Sequence, residues 1–585
     1  LKTAVSIELD AGGDEVAGTE RTTYYRYYTT DAAGGYTGAV KFVVYDDGYR
    51  QLEILATEGD VDGLEDAIVA DFADQAYTYD ASHRVASMTS KGSGCSSACG
   101  GLGTVQFSYD TSAFADGFNT WTYLSVEQQP GWVEAGNARN TQIVTYANYA
   151  DSPIFTVTQA QYFDEVAQQW KFQNLSADFY GYDSEGRQVL HANPSAILIG
   201  SLPESLDSAF DSGTGQFLTA TYLSTSSGLI EGADYYDASD VIADADGETG
   251  GVIGWFERSW IKQGTAGTPV VQSEADYVAH AFNGELYYFT NSYTSFADDA
   301  GTDARTTTYD YAWFAGTNQI SRQTVTEEAV SVENNGSGVA TSVSTLFDIE
   351  GQAVWTMDQA GYLTYSQYDE ATGALLKSIQ DANTDTAHRA GGSFTSANLA
   401  LLDAAGWSSV SGDHAHLTTT YGIDDYGRTV SVTDANGITS HTAYNDAAHE
   451  VRSWTSDSAG NPVGPVYISR QVYVDQVPDT PGMNYAYGFS ESMTVALGEN
   501  DDPATVVPTA SNIRSYSRSI SNRGGQFVEQ RQYSDVTGYS YSTPVFEFGT
   551  AGEDYLASTY GYNRRGWMKR TEGPDGVVTR VEYDN

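Results

Sequence analysis

The amino-acid sequence predicts an all-β protein assembled from β-hairpin repeats, and three observations lead there. The first is a fixed ruler. From Phe347-Asp348 the chain reaches Gly351, Gly361 and then Tyr368-Asp369; from Ile423-Asp424 it reaches Gly427-Arg428, Gly437 and Tyr444-Asn445. From Tyr562-Asn563 it reaches Gly566, Gly576 and Tyr583-Asp584, so all three stretches share steps of 4, 10 and 7 residues, a period of 21. A period of this size signals a repeat architecture. The second is turn chemistry: Asp or Asn followed shortly by Gly pairs a side chain that bonds nearby backbone with a residue free to take positive φ. The third is the alternation of apolar and polar residues, rich in β-branched and aromatic types, between those turns, as in Arg428–Thr433 and Val577–Tyr583.

One period is therefore two strands and two turns. A lone hairpin is marginal in water, so each unit has to borrow the edge of its neighbour. The composition agrees: 43 Tyr and 59 Gly among 585 residues suit strands punctuated by turns rather than helices.

The segment YDSEGRQVL, which carries Tyr182, Asp183, Gly186 and Arg187, resembles the tyrosine-aspartate signature of the RHS/YD-repeat family. So do FDIEGQAVW at Phe347, YDEATGALL at Tyr368, the stretch from Ile423 to Asn445 and the stretch from Tyr562 onward; Tyr45, Tyr79, Tyr109 and Tyr309 begin weaker echoes. The family occurs in bacterial surface proteins, polymorphic toxins and teneurins. The resemblance implies a β-ribbon wound as a spiral into a hollow shell or tube. It divides the chain into an N-terminal ribbon with degenerate repeats (1–190), a divergent, insertion-rich β region of the same shell (191–345) and regular 21-residue repeats (346–585). The last repeat opens at Tyr583-Asp584 without completing, and the first residues hold neither an initiator Met nor a signal-peptide core, so a segment of a longer polypeptide is expected.

Taken from the beginning, the first elements are strands at Thr22–Tyr28 and Ala39–Tyr45, flanking a turn at Gly34-Gly35. Asp62–Ala73 reads as a helix, with Leu64, Ile68 and Phe72 at helical spacing, and Ser396–Ala405 as another, capped by Ser396 and stopped at Gly406. Both read as surface insertions or plugs of the shell. Cys95 and Cys99 are the only cysteines, in a glycine-rich loop, and a local disulfide is expected of them in an oxidising exterior. Trp170–Asn174 reads as a strand before the Tyr182 repeat.

Asp237, Asp240, Asp244, Asp246 and Glu248 share one loop; Asp244, Asp246 and Glu248 resemble half of a calcium loop, against the plainer reading of solvated turn carboxylates. Asp413-His414-Ala415-His416 puts two imidazoles on one face of a possible strand, with exposed histidines the plainer reading. Nucleophile-elbow, HExxH, phosphate-loop and dinucleotide motifs are absent from the sequence. Gly573-Pro574-Asp575-Gly576 is a repeat turn rather than a self-cleavage motif.

Charge narrows the partners. With 28 basic and 78 acidic residues the net charge is −50, which repels nucleic acid and anionic lipid. No stretch approaches the roughly 18 apolar residues of a membrane span. The expectation is a non-catalytic structural segment of an extracellular or cell-surface protein. It would self-associate or join neighbouring repeats of the same chain into a shell, tube or fibre used in surface structure or adhesion, with cell-surface glycans as possible partners and no cofactor beyond candidate calcium. The rival readings are a cocoon around a toxin effector and a glycan-binding module.

Overall fold

The computed structural model of the chain describes residues 2–6, 21–56, 60–90, 104–129, 132–134, 137–239, 241–297, 304–410, 412–474, 477–478, 485–523, 525–562 and 568–581. Its strands form one antiparallel sheet of 33 strands, with a separate two-stranded pair at Trp132–Glu134 and Asn137–Arg139. The sheet is a meander: with few exceptions each strand pairs with the strands before and after it in sequence. The predicted period is seen directly at Thr341–Phe347, Ala353–Met357 and Leu363–Tyr368, and again at Leu417–Ile423, Thr429–Thr433 and Thr439–Asn445. The repeat glycines sit where the backbone turns left-handed, with φ of 85° at Gly351, 88° at Gly361, 75° at Gly427, 81° at Gly437 and 77° at Gly576. A side chain is disfavoured there, which is why the ruler is written in Gly.

A meander has two turn-bearing edges. The Tyr-Asp turns of the repeats lie on one edge, and the alternate turns, at Asp358, Asp434 and Asp457, on the other. At the tyrosine edge the strand carries a β-bulge beside the anchor residue, between Thr78 and Tyr79, Gly181 and Tyr182, Leu346 and Phe347, Gln367 and Tyr368, Gly422 and Ile423, and Gly561 and Tyr562. Bulges bend a strand and increase its twist, so a bulge repeated at one edge curves the ribbon in a consistent sense.

Insertions cover one face of this ribbon. The cross-strand register links Phe179, Ala192 and Ile230, then Leu346, Trp355, Tyr365 and Ile379, and then Glu450, Arg470 and Glu491 on the same side of the sheet. Residues 193–228 cover the first group, adding Phe210, Phe217 and Leu223 to its core. The helix Ser396–Ala404 covers the second: Trp355 is fully buried and donates from Nε1 to the Asn398 carbonyl at 2.8 Å. Residues 497–513 and 534–554 cover the third. Between insertions the face is dressed with hydroxyl pairs such as Thr294–Thr306, Thr324–Ser344 and Thr326–Ser342. The chain exposes 30505 Å², about 1.5 times the roughly 20,000 Å² that a compact globule of its mass would show. This is a ribbon with local cores, not one packed interior.

Several sequence expectations change. Tyr45-Asp46-Asp47-Gly48 is no repeat turn; it opens helix α1, Asp46–Leu55. Gly48 lies buried inside that helix, where a Cβ would stand 2.7 Å from Val44 and 2.9 Å from the Phe72 carbonyl, so close packing and not turn geometry selects glycine. The expected helix at Asp62–Ala73 is a 3-10 turn, Val61–Gly63, whose N-terminus Asp60 caps by accepting from Gly63 N, followed by α2, Asp66–Phe72; extended backbone at Leu64 and Glu65 separates the two. Thr395, not Ser396, caps the later helix by accepting from Asn398 N. Tyr309-Asp310 and Tyr109-Asp110 lie within strands, Ala304–Trp313 and Thr104–Thr111, because no glycine follows at turn spacing. The strands expected at Thr22–Tyr28, Ala39–Tyr45 and Trp170–Asn174 are present as Arg21–Tyr27, Val40–Val44 and part of Gln169–Tyr182.

Candidate functional site

The repeat signature resolves into a staple between successive hairpins. Asp183 Oδ1 accepts from the backbone N–H of Glu185 at 3.0 Å and of Arg187 at 2.9 Å, while Asp183 N donates to the Arg187 carbonyl and Gly186 N to the Asp183 carbonyl. The same carboxylate turn recurs at Asp80, Asp424, Asp434 and Asp457. Asp348 holds Gln352 N in this way, and Asp369 holds a turn longer by one residue through Ala371 and Thr372. The Arg187 and Asn461 backbone bonds help hold the Asp183 and Asp457 carboxyls below their usual range; at Asp183, burial pushes the other way and is outweighed.

Where a tyrosine precedes the Asp or Asn, it reaches backward. Its hydroxyl donates to the first carbonyl of the strand leaving the preceding turn on the same edge: Tyr79 to Val40 at 2.9 Å, Tyr182 to Pro153 at 2.7 Å, Tyr368 to Ala353 at 3.2 Å, Tyr444 to Thr429 at 3.5 Å and Tyr562 to Phe527 at 2.6 Å. The arginine after the glycine reaches forward. Arg187 and Arg428 each bind their own Asp through Nε, at 2.7 and 2.8 Å, and lay the guanidinium over the next tyrosine on that edge, Tyr235 at 4.7 Å and Tyr444 at 4.3 Å. Arg428 also grips Asp446 with both terminal nitrogens, at 2.9 and 3.1 Å. Phe347 and Ile423 keep the bulge but lack the hydroxyl.

Two further constellations were not visible in the sequence. The first is a seam. Helices α1 and α2 project from the edge opposite the tyrosines, and they dock on the tyrosine edge of strands some 400 residues later. Tyr473 Oη donates to Asp47 at 3.0 Å, Tyr487 N donates to Gln51 at 2.8 Å, Arg50 contacts His449 at 3.3 Å, and Arg523 pairs with Asp71 at 3.5 Å and lies over Phe72. One edge of the ribbon thus meets its opposite edge, the contact a spiral makes with itself.

The second is a charged row beneath the 534–554 strap. Register places Glu450, Arg470, Glu491, Arg518 and Arg531 directly opposite one another across five strands, from Glu450–Ser456 to Phe527–Tyr533. Glu491 and Arg518 are 1 % exposed. Arg470 Nε lies 2.6 Å from Glu491, and Arg518 donates to the Val545 and Phe546 carbonyls at 2.7 and 2.9 Å. Tyr516 and Tyr539 donate to Glu491, and Tyr541 to Glu450. Burial, reinforced by Glu491, pushes the Tyr516 and Tyr539 hydroxyls far above their ordinary value, so both stay protonated as donors. The row alternates charge over its first four positions and closes on the strap, an arrangement that fixes a cover in place. Successive members are 20, 21, 27 and 13 residues apart, so no regular spacing marks the row in the sequence.

The other predicted residues have plainer places. Glu248 Oε2 accepts from Asp244 N and Ala245 N of its own loop at 3.2 Å, and Asp246 accepts from Ala281 N of the strand Val270–Phe282 at 2.9 Å beside His280, so Glu248 and Asp246 are engaged with the protein itself. Among the described residues no three His, Cys, Asp or Glu side chains gather as a metal would require. His414 and His416 lie before the strand Leu417–Ile423, not on it. The His414 ring is 3 % exposed between Asp381 at 2.6 Å and the Val410 carbonyl at 2.7 Å, and His416, half-buried, accepts at Nδ1 from Asn383 N at 3.0 Å. Cys95, Cys99, Gly566, Tyr583 and Asp584 lie outside the described residues. No described helix is long and apolar enough to cross a membrane, which says nothing of crossing by strands.

No family model and no curated protein matches the chain. Among solved structures it is similar to a TcdB2-TccC3-Cdc42 complex, with a TM-score of 0.39 and 10% identity over 100% of this chain and 25% of that one. It is also similar to the Photorhabdus luminescens Tc holotoxin pore, with a TM-score of 0.34 and 11% identity over 99% and 25%. A porin-like protein from Bacteroides uniformis is similar at 0.16 and 10%, over 56% and 92%. The chain therefore spans about a quarter of the length of the first two chains it matches.

Proposed function

We propose that this chain is a non-catalytic wall: an extracellular β-ribbon that curls through a full turn and encloses space with its insertion-bearing face turned inward. The observation that carries this reading is the seam, in which α1 and α2 on one edge meet His449, Tyr473 and Arg523 on the other. A flat or fibrous ribbon leaves those two edges far apart. The one-sided placement of insertions supports it, since segments that plug an interior all have to leave the sheet in the same direction. The acidic surface suits a screened, salty exterior. Small-angle scattering with electron microscopy of the purified chain tests it. A radius of gyration well above the roughly 25 Å of a compact 585-residue globule, with curved walls around a lumen, is the expected result; a solid particle near 25 Å or an open flat ribbon refutes it. Tubes of many chains would favour a surface fibre, and closed particles holding density would favour a cocoon.

A further inference from the structure

The seam contains a titratable group whose geometry demands one protonation state. His449 sits in the left-handed region, with φ of 47°, at the end of the tight turn Asp446–Ala448. Its Nε2 lies 3.3 Å from a terminal nitrogen of Arg50 on α1. An arginine nitrogen can only donate, so Nε2 has to present its lone pair, and the imidazole is neutral with its proton on Nδ1. The ring also stands edge-on to Tyr473, 5.7 Å between centroids, and the Tyr473 hydroxyl is the one that reaches Asp47.

The groups around it leave a second proton poorly placed. From α1 come Arg50, Asp46 and Asp47; Asp46 is taken up by Arg50 and by Thr22 N, with Arg21 at 3.8 Å, and Asp47 by Tyr473. From its own turn and strand come Asp446, gripped by Arg428, and Glu450, paired with Arg452. From Pro462–Tyr473 come Gln471, which donates its N–H to the His449 carbonyl at 3.1 Å, and Tyr473. Protonation would set two cations face to face at 3.3 Å and remove the acceptor that Arg50 uses. Every nearby carboxylate is already engaged.

We propose that the seam is an acid-sensitive latch: protonation of His449 against Arg50 releases α1 and α2 from the tyrosine edge and opens the turn of the ribbon. Burial and the Arg50 cation both hold the His449 imidazole below the ordinary histidine value of 6.5. The docked state thus binds fewer protons than the undocked one, so docking is at full strength above 6.5 and weakens as pH falls below it.

Hydrogen–deuterium exchange of the whole chain, corrected for intrinsic rates, reads the latch. Between pH 7.5 and 5.5 the α1 amides are expected to exchange about five- to tenfold faster, tenfold being the ceiling for one linked proton with a free value of 6.5, while strands Ala353–Met357 and Leu363–Tyr368 stay unchanged. His449→Asn tolerates the left-handed backbone and carries no charge, and it is expected to abolish the difference. Arg50→Met keeps the histidine and removes the cation it faces, and it is expected to reduce the pH response to under threefold. Unchanged wild-type exchange, loss of protection in the distant strands at the same pH, or a full acid response in either variant overturns the proposal. Should His449→Asn leave α1 unprotected at pH 7.5, the Arg50→Met response alone decides.

Discussion

Replacing Glu491 by Gln is the sharpest test of the charged row, because it removes one charge and almost no volume. Glu491 is 1 % exposed and receives Arg470 at 2.6 Å, Tyr539 at 2.8 Å and Tyr516, with Arg518 at 3.9 Å. The amide leaves Arg470 and Arg518 as buried cations facing one another across the strand. Breaking a buried pair by removing one partner costs about 3–5 kcal/mol, since the remaining charge is uncompensated. At about 1.4 kcal/mol per tenfold, that is a rise of roughly a hundredfold to several-thousandfold in local opening. The assay is hydrogen exchange at pH 7 in the strands Gly488–Val495 and Ile513–Ser521 and in the strap. Strap amides are expected to lose protection together with those strands, because Arg518 loses its geometry at Val545 and Phe546. A rise below tenfold would refute the assignment of the row as the strap's anchor. A control fixes the cause: replacing Arg470, Glu491 and Arg518 together by Met, Leu and Met is expected to restore much of the lost protection, as apolar substitutes for buried ion pairs commonly do.

Tyr182→Phe removes the hydroxyl that reaches Pro153 and is expected to cost about 1 kcal/mol, seen as a lower melting temperature; an unchanged melt means the staple holds nothing. Asp183→Ala removes the carboxylate that organises its turn and is expected to cost about 1.5–3 kcal/mol. Because the Asp183 carboxyl lies below its ordinary 3.8, its contribution is present above that value and is lost as pH falls through the lower, folded one. Wild type and variant should therefore converge in stability in strong acid, and a constant gap would contradict the turn geometry. The bond to Asp381 raises His414 above 6.5, whereas burial, with His388 nearby, lowers His416 below it. His414 thus stabilises below 6.5 and loses its effect as pH rises through its folded value, and His416 stabilises above 6.5 and loses its effect on acidification. An NMR titration of the imidazoles should separate the two on either side of 6.5; coincident titration would refute both environments.

Legibility in the sequence tracks the distance over which each feature is determined. Strands and Asp-x-x-Gly turns depend on residues within a few positions, so Gly351, Gly427 and Asp183 declared themselves. The same local logic misread Tyr45–Gly48, where tertiary contact with Val44 and Phe72 chose a helix for residues that spell a turn. It also misread Tyr309-Asp310, which has the motif's first letters without its glycine. His414 and His416 read as exposed because their partners Asp381 and Asn383 lie 33 residues away in sequence. The charged row depends on register across five strands, and its members are separated by connections of unequal length, so no spacing in the sequence marks it. The seam pairs α1 with residues more than 390 positions later and has no local signal at all.

The backward reach of the tyrosines has a consequence for how such a chain assembles as it emerges. Each new hairpin finds its hydroxyl acceptor on a hairpin already made, 15 residues earlier for Tyr368 and 29 for Tyr182. As far as these hydroxyl bonds go, growth can proceed vectorially, each unit templated by its predecessor; the forward contacts of Arg187 and Arg428 close when the next turn on that edge is made. The helices α1 and α2 are the exception. They are synthesised some 400 residues before the groups that dock on them, so during translation or export that docking surface stays unmated until Tyr473 and Arg523 arrive.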